Sequence, residues 1–175
     1  MPYQTTVLGI DASARSTGVV LLRPDMPSIE QIIKPKNLKE GERLAFIERA
    51  TLDLLKDQVV DLAVMEGPSY RSTNKPFTLG EVYGTFKLIL FRKNIKTLIA
   101  PPRAVKKYAV GKGTATKEQM IQAAYKQGCS TAQEDVADAW HLAMLGRDVL
   151  AGQAGSGKRS AEEVVQKMRR DLCLC

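Results

Sequence analysis

Long apolar runs are missing from this 175-residue chain. Crossing a bilayer as a helix takes about 20 consecutive apolar residues, and the nearest approach, Leu88 to Phe91, is hemmed in by Lys87, Arg92 and Lys93. At the N-terminus the apolar stretch is only Val7 to Ile10, without the basic-then-apolar pattern of an export signal. A membrane protein is therefore excluded and a cytoplasmic location expected. Cysteine is scarce: Cys129 stands alone, and Cys173 and Cys175 sit one residue apart at the C-terminus. Structural zinc needs four ligands at suitable spacing, which this set does not offer. Acidic charge is in deficit, with 19 Asp and Glu against 26 Lys and Arg for a net charge of +7. That balance favours an anionic partner such as nucleic acid and says nothing about fold. Hydrophobic content of 44% and charged content of 26% are those of an ordinary globular chain.

What is present reads as an α/β pattern without internal repeats. Residues 6–11 (Thr-Val-Leu-Gly-Ile-Asp) form a short buried strand ending in a carboxylate. Apolar runs at 17–22 and 29–33, separated by Pro24, Asp25 and Pro27, complete an antiparallel meander. The spacing of Leu44, Ile47, Leu52 and Leu55 is helical over about 41–56. A fourth strand, 62–66, again ends in a carboxylate and is stopped by Gly67-Pro68. Residues 77–91 read as a helix apolar around most of its circumference, hence buried on two sides. Within it Gly80 and Gly84 share one face and could admit a close neighbour, either inside the domain or in a dimer. A fifth strand at 97–100 ends at Pro101-Pro102, and helices follow at 116–127 and 135–150. The expected fold is thus α/β, a mixed five-stranded sheet flanked by helices, over residues 1–151. Residues 152–160, rich in Gly, Ser and Ala, read as a linker to a basic amphipathic helix over 161–175, whose stripe is Ala161, Val164, Val165, Met168 and Leu172. The G-Q-A-G-S-G-K run at 152–158 resembles a phosphate-binding loop, but Arg159 stands where Ser or Thr is required, and a helix rather than a strand precedes it.

Four carboxylates could carry chemistry. Asp11 and Glu66 close two strands, while Asp135 and Asp138, three apart, share a helix face. Individually each has a plain structural role: a turn residue for Asp11, an N-cap or first-turn charge for Asp135. Asp138 is harder to place that way, because it lies among Val136, Ala137, Ala139 and Trp140 and wants a cation. Converging, the four would repel unless neutralised, and hard oxygen ligands suit Mg²⁺ or Mn²⁺. A pair of such ions can activate water and stabilise the leaving oxygen of a phosphodiester.

The stretches Gly9-Ile10-Asp11 with Ser16-Thr17-Gly18, then Met65-Glu66, then Asp135-Val136-Ala137-Asp138-Ala139 resemble, in order and spacing, the motifs of the RuvC family of Holliday junction resolvases. Pro102-Arg103-Ala104-Val105-Lys106 and Gly111-Lys112-Gly113-Thr114-Ala115-Thr116-Lys117 are similar to that family's basic segment, so the likeness covers about residues 6–147. The resemblance implies an RNase H-like fold, a homodimer, and paired nicks in branched DNA: four-way junctions, and also three-way and flap structures. It implies two Mg²⁺ or Mn²⁺ ions per active site, held by Asp11, Glu66, Asp135 and Asp138, with Lys106 and Lys117 acting at the DNA. Tyr70 is the nearest counterpart of an aromatic that opens the junction. Two segments depart from the family pattern, Ala12-Ser13-Ala14-Arg15 and the residues after Glu66. Such divergence would suit a phage version with broader branched-DNA acceptance.

The basic residues have a rationale of their own. Arg103, Lys106, Lys107, Lys112 and Lys117 cluster after a strand end, where they can contact phosphates without reading sequence. His141, one turn after Asp138, is a candidate partner of a metal ligand, a proton shuttle, or simply a polar residue at the edge of the site. Trp140 reads as core. Two rival functions remain: a branched-DNA binding protein without catalysis, which has no reason to set four carboxylates beside phosphates, and an actin-like or sugar-kinase ATPase, whose fold duplicates the domain over more than twice this length.

Overall fold

The computed structural model describes residues 4–67 and 76–172. Strands β1 (Val7–Asp11), β2 (Thr17–Arg23) and β3 (Met26–Ile33) form an antiparallel meander. Helix α1 (Glu40–Leu54) leads to β4 (Leu62–Glu66), and α2 (Pro76–Arg92) leads to β5 (Thr97–Ala100). Both β4 and β5 run parallel to β1, giving the order β3-β2-β1-β4-β5. Helices α3 (Pro102–Val110), α4 (Lys117–Lys126), α5 (Glu134–Ala151) and α6 (Arg159–Asp171) complete the described chain. The expected mixed five-stranded sheet flanked by helices is what forms.

Strand alternation distributes the core to two faces. Leu8, Ile10, Ala63 and Met65 point to one side, where they pack with Ile47 of α1 and Val82, Phe86 and Leu90 of α2. Val7, Leu62 and Val64 point to the other, packing with Leu142, Leu145 and Val149 of α5. By the same parity Asp11 and Glu66, each two residues beyond an α5-facing position, belong to the α5 face. Glycine allows that helix its close approach: a Cβ on Gly9 would lie 2.6 Å from the Ala143 amide and overlap the Ala139 carbonyl. A Cβ on Gly18 would overlap the Asp135 carbonyl, and one on Gly146 would reach 2.6 Å from Val64.

Several sequence-based expectations shift. The segment after Pro101-Pro102 is helical from the start, an element the sequence pattern did not supply. Proline at the first helical position needs no amide hydrogen bond, and Gly111 at φ 99° closes α3 in the left-handed conformation. In α1, Leu52 points outward and Thr51 takes the buried position, donating its hydroxyl to the Ile47 carbonyl at 2.7 Å. Helix α2 is buried along one side, not two: Phe77, Leu88 and Phe91 are exposed, and among the described residues nothing approaches Gly80 or Gly84. Helix α6 begins two residues earlier than the pattern indicated. Its Ala161, Val164, Val165 and Met168 are buried with Val105, Tyr108 and Ala109 of α3 in the main core. The glycine-rich 152–158 run is a turn between helices, with Gly152 at φ 82° and Gly157 at φ 63°. It is tied down by the Gly155 amide donating to Asp148 at 2.9 Å and the Ala154 amide donating to Glu162 at 2.7 Å.

Candidate active site

The register fixes the first two carboxylates. Ile10 of β1 pairs with Met65 of the parallel β4, so Asp11 and Glu66 are the next residues on neighbouring strands, both at carboxyl ends. Asp11 also pairs with Gly18 across the antiparallel ladder, and over Gly18 lies the first turn of α5. That contact delivers Asp135, which accepts a short hydrogen bond from the Ser16 hydroxyl, and one turn later Asp138. The loop bearing Ser16 is itself latched, because the Thr17 hydroxyl donates to the Ser13 carbonyl at 2.9 Å and accepts from the Ser13 amide at 3.1 Å.

The four side chains feel one another. Burial first, then the charges of Glu66, Asp138 and Asp135, hold the Asp11 carboxyl well above the usual carboxylate range. Burial and Asp138 push Glu66 up to about 7, with Lys106 acting in the opposite sense. Burial and Glu134 push Asp138 to about 6, again moderated by Lys106. These are carboxylates packed close without enough positive charge to neutralise them. All donors are hard oxygens, the chemistry preferred by Mg²⁺ or Mn²⁺, so the residues fit a divalent cation in kind. Among the described residues no three acidic, cysteine or histidine side chains are drawn into a ready-made cage.

The basic residues divide. Lys106 of α3 acts on both Glu66 and Asp138 and so faces the carboxylates. Lys117, the first residue of α4, pairs with Glu134 at 2.7 Å and remains largely exposed. Arg103 and Lys112 are exposed, on α3 and on the turn after it. Lys107 points elsewhere, pairing with Glu163 of α6 at 2.6 Å, which ties α3 to the last helix. His141 is fully buried, its Nε2 2.9 Å from the Met120 carbonyl, so it joins α5 to α4 inside the fold. Burial keeps its imidazole below the ordinary histidine pKa. Trp140 is core, as its position implied. Tyr70 lies outside the described residues. Sequence reading missed Glu134, whose only signal was its place beside Asp135 at the start of a helix.

Carboxylates at the ends of the central strands of a β3-β2-β1-β4-β5 sheet, with a further pair on the helix lying across it, define an RNase H-like α/β domain. The family model of crossover junction endodeoxyribonuclease RuvC matches residues 7–145, and the chain belongs to that family. Its reaction is accordingly that of a Holliday junction resolvase, an endonuclease acting on crossover junctions in DNA. The RuvC of Acidiphilium cryptum (strain JF-5) is 28% identical over 153 residues, covering 82% of this chain and 91% of that protein. The solved structure of Thermus thermophilus RuvC superposes with a TM-score of 0.70 at 20% identity, covering 84% of this chain and 96% of that one. The same Thermus protein in complex with a Holliday junction substrate gives 0.68 at 21% identity, over 79% and 90%.

Proposed function

We propose that this resolvase hydrolyses phosphodiester bonds at DNA branch points with the aid of two Mg²⁺ or Mn²⁺ ions, held by Asp11, Glu66, Asp135 and Asp138. The observation that supports this most is electrostatic: three of the four carboxyls are raised by burial and mutual repulsion at one end of the sheet. A divalent cation would supply there a Lewis acid for the scissile phosphate and a lowered pKa for the attacking water. Within the chain, Asp11 sits centrally, between Glu66 on the next strand and the α5 pair. Ser16 orients Asp135 through its hydroxyl. Lys106, Lys117, Arg103 and Lys112 hold the DNA backbone, and Tyr70 stacks at the branch point.

Two cuts in one four-way junction require two sites, and a homodimer provides them. The exposed stripe of α2, running through Phe77, Gly80, Gly84, Leu88 and Phe91, is the surface we assign to it. Its glycines let a second backbone come close while the flanking side chains are buried.

Comparing wild type with Asp11→Asn on four-way, three-way, flap and linear duplex DNA, with and without Mg²⁺, tests the mechanism. The expected result is Mg²⁺-dependent nicking of branched DNA by wild type alone, with junction binding kept by the variant. Nicking that survives the substitution, or that proceeds undiminished in chelator, rejects the metal assignment. A wild type that shifts the junction without cutting it supports a non-catalytic binder.

A further inference from the structure

Lys117 and Glu134 face each other at the rim of the carboxylate pocket. The Lys117 backbone is held firmly: Thr116 caps α4, its hydroxyl accepting from the Gln119 amide at 3.4 Å while the Gln119 side chain accepts from the Thr116 amide at 3.1 Å. Only the side chain is free to choose a partner, and it takes Glu134 Oε1 at 2.7 Å. Asp135, the next residue, and Asp138, one turn further along the same helix, also act on this ammonium. Asp138 lies among the buried residues Ala137, Ala139 and Trp140 and offers it a competing position.

We propose that Glu134 is a positioning residue: it holds the Lys117 ammonium at the mouth of the pocket, where a phosphate can reach it, and keeps it from closing onto Asp135 and Asp138. The inference rests on the reading of Lys117 as a phosphate contact and of the α5 carboxylates as the cation site. Without the glutamate charge, Asp138 and Asp135 are the remaining α5 carboxylates that act on this ammonium. The lysine then becomes an internal counter-ion, lost to DNA and lodged where a cation belongs.

This runs against simple charge counting, in which removing an acidic residue from a DNA-facing surface strengthens binding at low salt. Four-way junction binding, measured in chelator over a series of salt concentrations for wild type, Glu134→Gln, Lys117→Gln and the double variant, separates the two. Each lost phosphate contact lowers the salt slope by about 1. The expected result is a slope lower by about 1 and several-fold weaker binding in Glu134→Gln, the same in Lys117→Gln, and no further loss in the double variant. Glu134→Asp, which keeps the charge, should recover most of the loss, and melting temperatures should stay put because the pair is exposed. Tighter binding by Glu134→Gln with an unchanged slope, or additive losses in the double variant, overturns the proposal. A readout without DNA stands beside it: the NMR hydrogen-bond coupling of Lys117 Nζ should move from the Glu134 carboxyl to that of Asp135 or Asp138 in Glu134→Gln. A Lys117 ammonium left free in solvent also overturns it, whereas a wild type that fails to bind junctions sinks the functional reading and leaves the coupling to decide this one.

Discussion

Gly18 of β2 lies directly beneath the carbonyl of Asp135, so close that even a methyl group would overlap it. Position 18 pairs with Asp11 in the sheet, so this one contact sets the distance between the strand-borne and helix-borne halves of the acidic pocket. Gly18→Ala should therefore do more than crowd the core. We expect a loss of about 1 to 3 kcal/mol from overpacking, with junction nicking reduced at least tenfold as Asp135 and Asp138 are lifted away from Asp11. Chemical denaturation and single-turnover nicking measure the two effects. A variant as stable and as active as wild type would show that the helix does not depend on this approach.

The raised carboxyls fix a sign for the pH dependence of the cation-free protein. Asp11, Glu66 and Asp138 hold protons in the folded state at pH values where the unfolded chain has released them. Their contribution to stability is thus fully present below the unfolded carboxyl pKa; that of Asp138 is lost as pH rises through about 6 and that of Glu66 through about 7. Asp11→Asn should raise the stability of the cation-free protein at neutral pH, because it removes a buried carboxyl that its acidic neighbours repel. Added Mg²⁺ or Mn²⁺ should stabilise wild type and leave the variant nearly unmoved. Thermal melts in chelator and in millimolar metal read both. Destabilisation by Asp11→Asn without metal would contradict the repulsion.

His141 works with the opposite sign. Buried and neutral, with a depressed pKa, it favours the fold above the ordinary histidine value, and that contribution is lost progressively as pH falls below about 6.5 toward the lowered folded value. Against His141→Gln, wild type should lose relative stability toward acid, by at most about 1.4 kcal/mol per pH unit. Denaturation curves at several pH values between 5 and 8 test this. Parallel pH profiles would mean the ring does not titrate differently on folding. Nicking should be little affected, since the Met120 carbonyl engages the imidazole within the fold.

On α2, Leu88→Glu places a charge within the exposed apolar stripe, where nothing within the described chain covers it. If this stripe is the interface of the proposed homodimer, sedimentation of wild type should show a dimer and that of the variant a monomer, with the melting temperature of the subunit nearly kept. Paired cuts in a four-way junction should give way to single nicks. A variant that remains dimeric would move the interface elsewhere.

Much of the site was legible in the chain itself. Strands ending in Asp11 and Glu66 are visible as apolar runs closed by a carboxylate, and period-two alternation assigns both to the same sheet face once the strands are neighbours. The helical spacing of Asp135 and Asp138 is equally plain. The pattern did not reveal α3, because a proline pair reads as a stop and serves here as a start. Nor did it reveal that Phe77, Leu88 and Phe91 face outward, since an all-round apolar helix looks the same whether a second covering surface lies in its own domain or elsewhere.

By itself, then, the sequence determined the local elements, their buried faces and the identity of the acidic donors, because hydrophobic periodicity and turn chemistry act over a few residues. Partnership was decided only by the tertiary structure. Ser16 meets Asp135 across 119 positions of chain, and Lys107 meets Glu163 across 56. Lys117 is drawn to Glu134 and His141 to the Met120 carbonyl. Such choices follow from how closely α5 can settle on the glycines of the sheet and where α6 closes the core, and no short-range pattern carries that information.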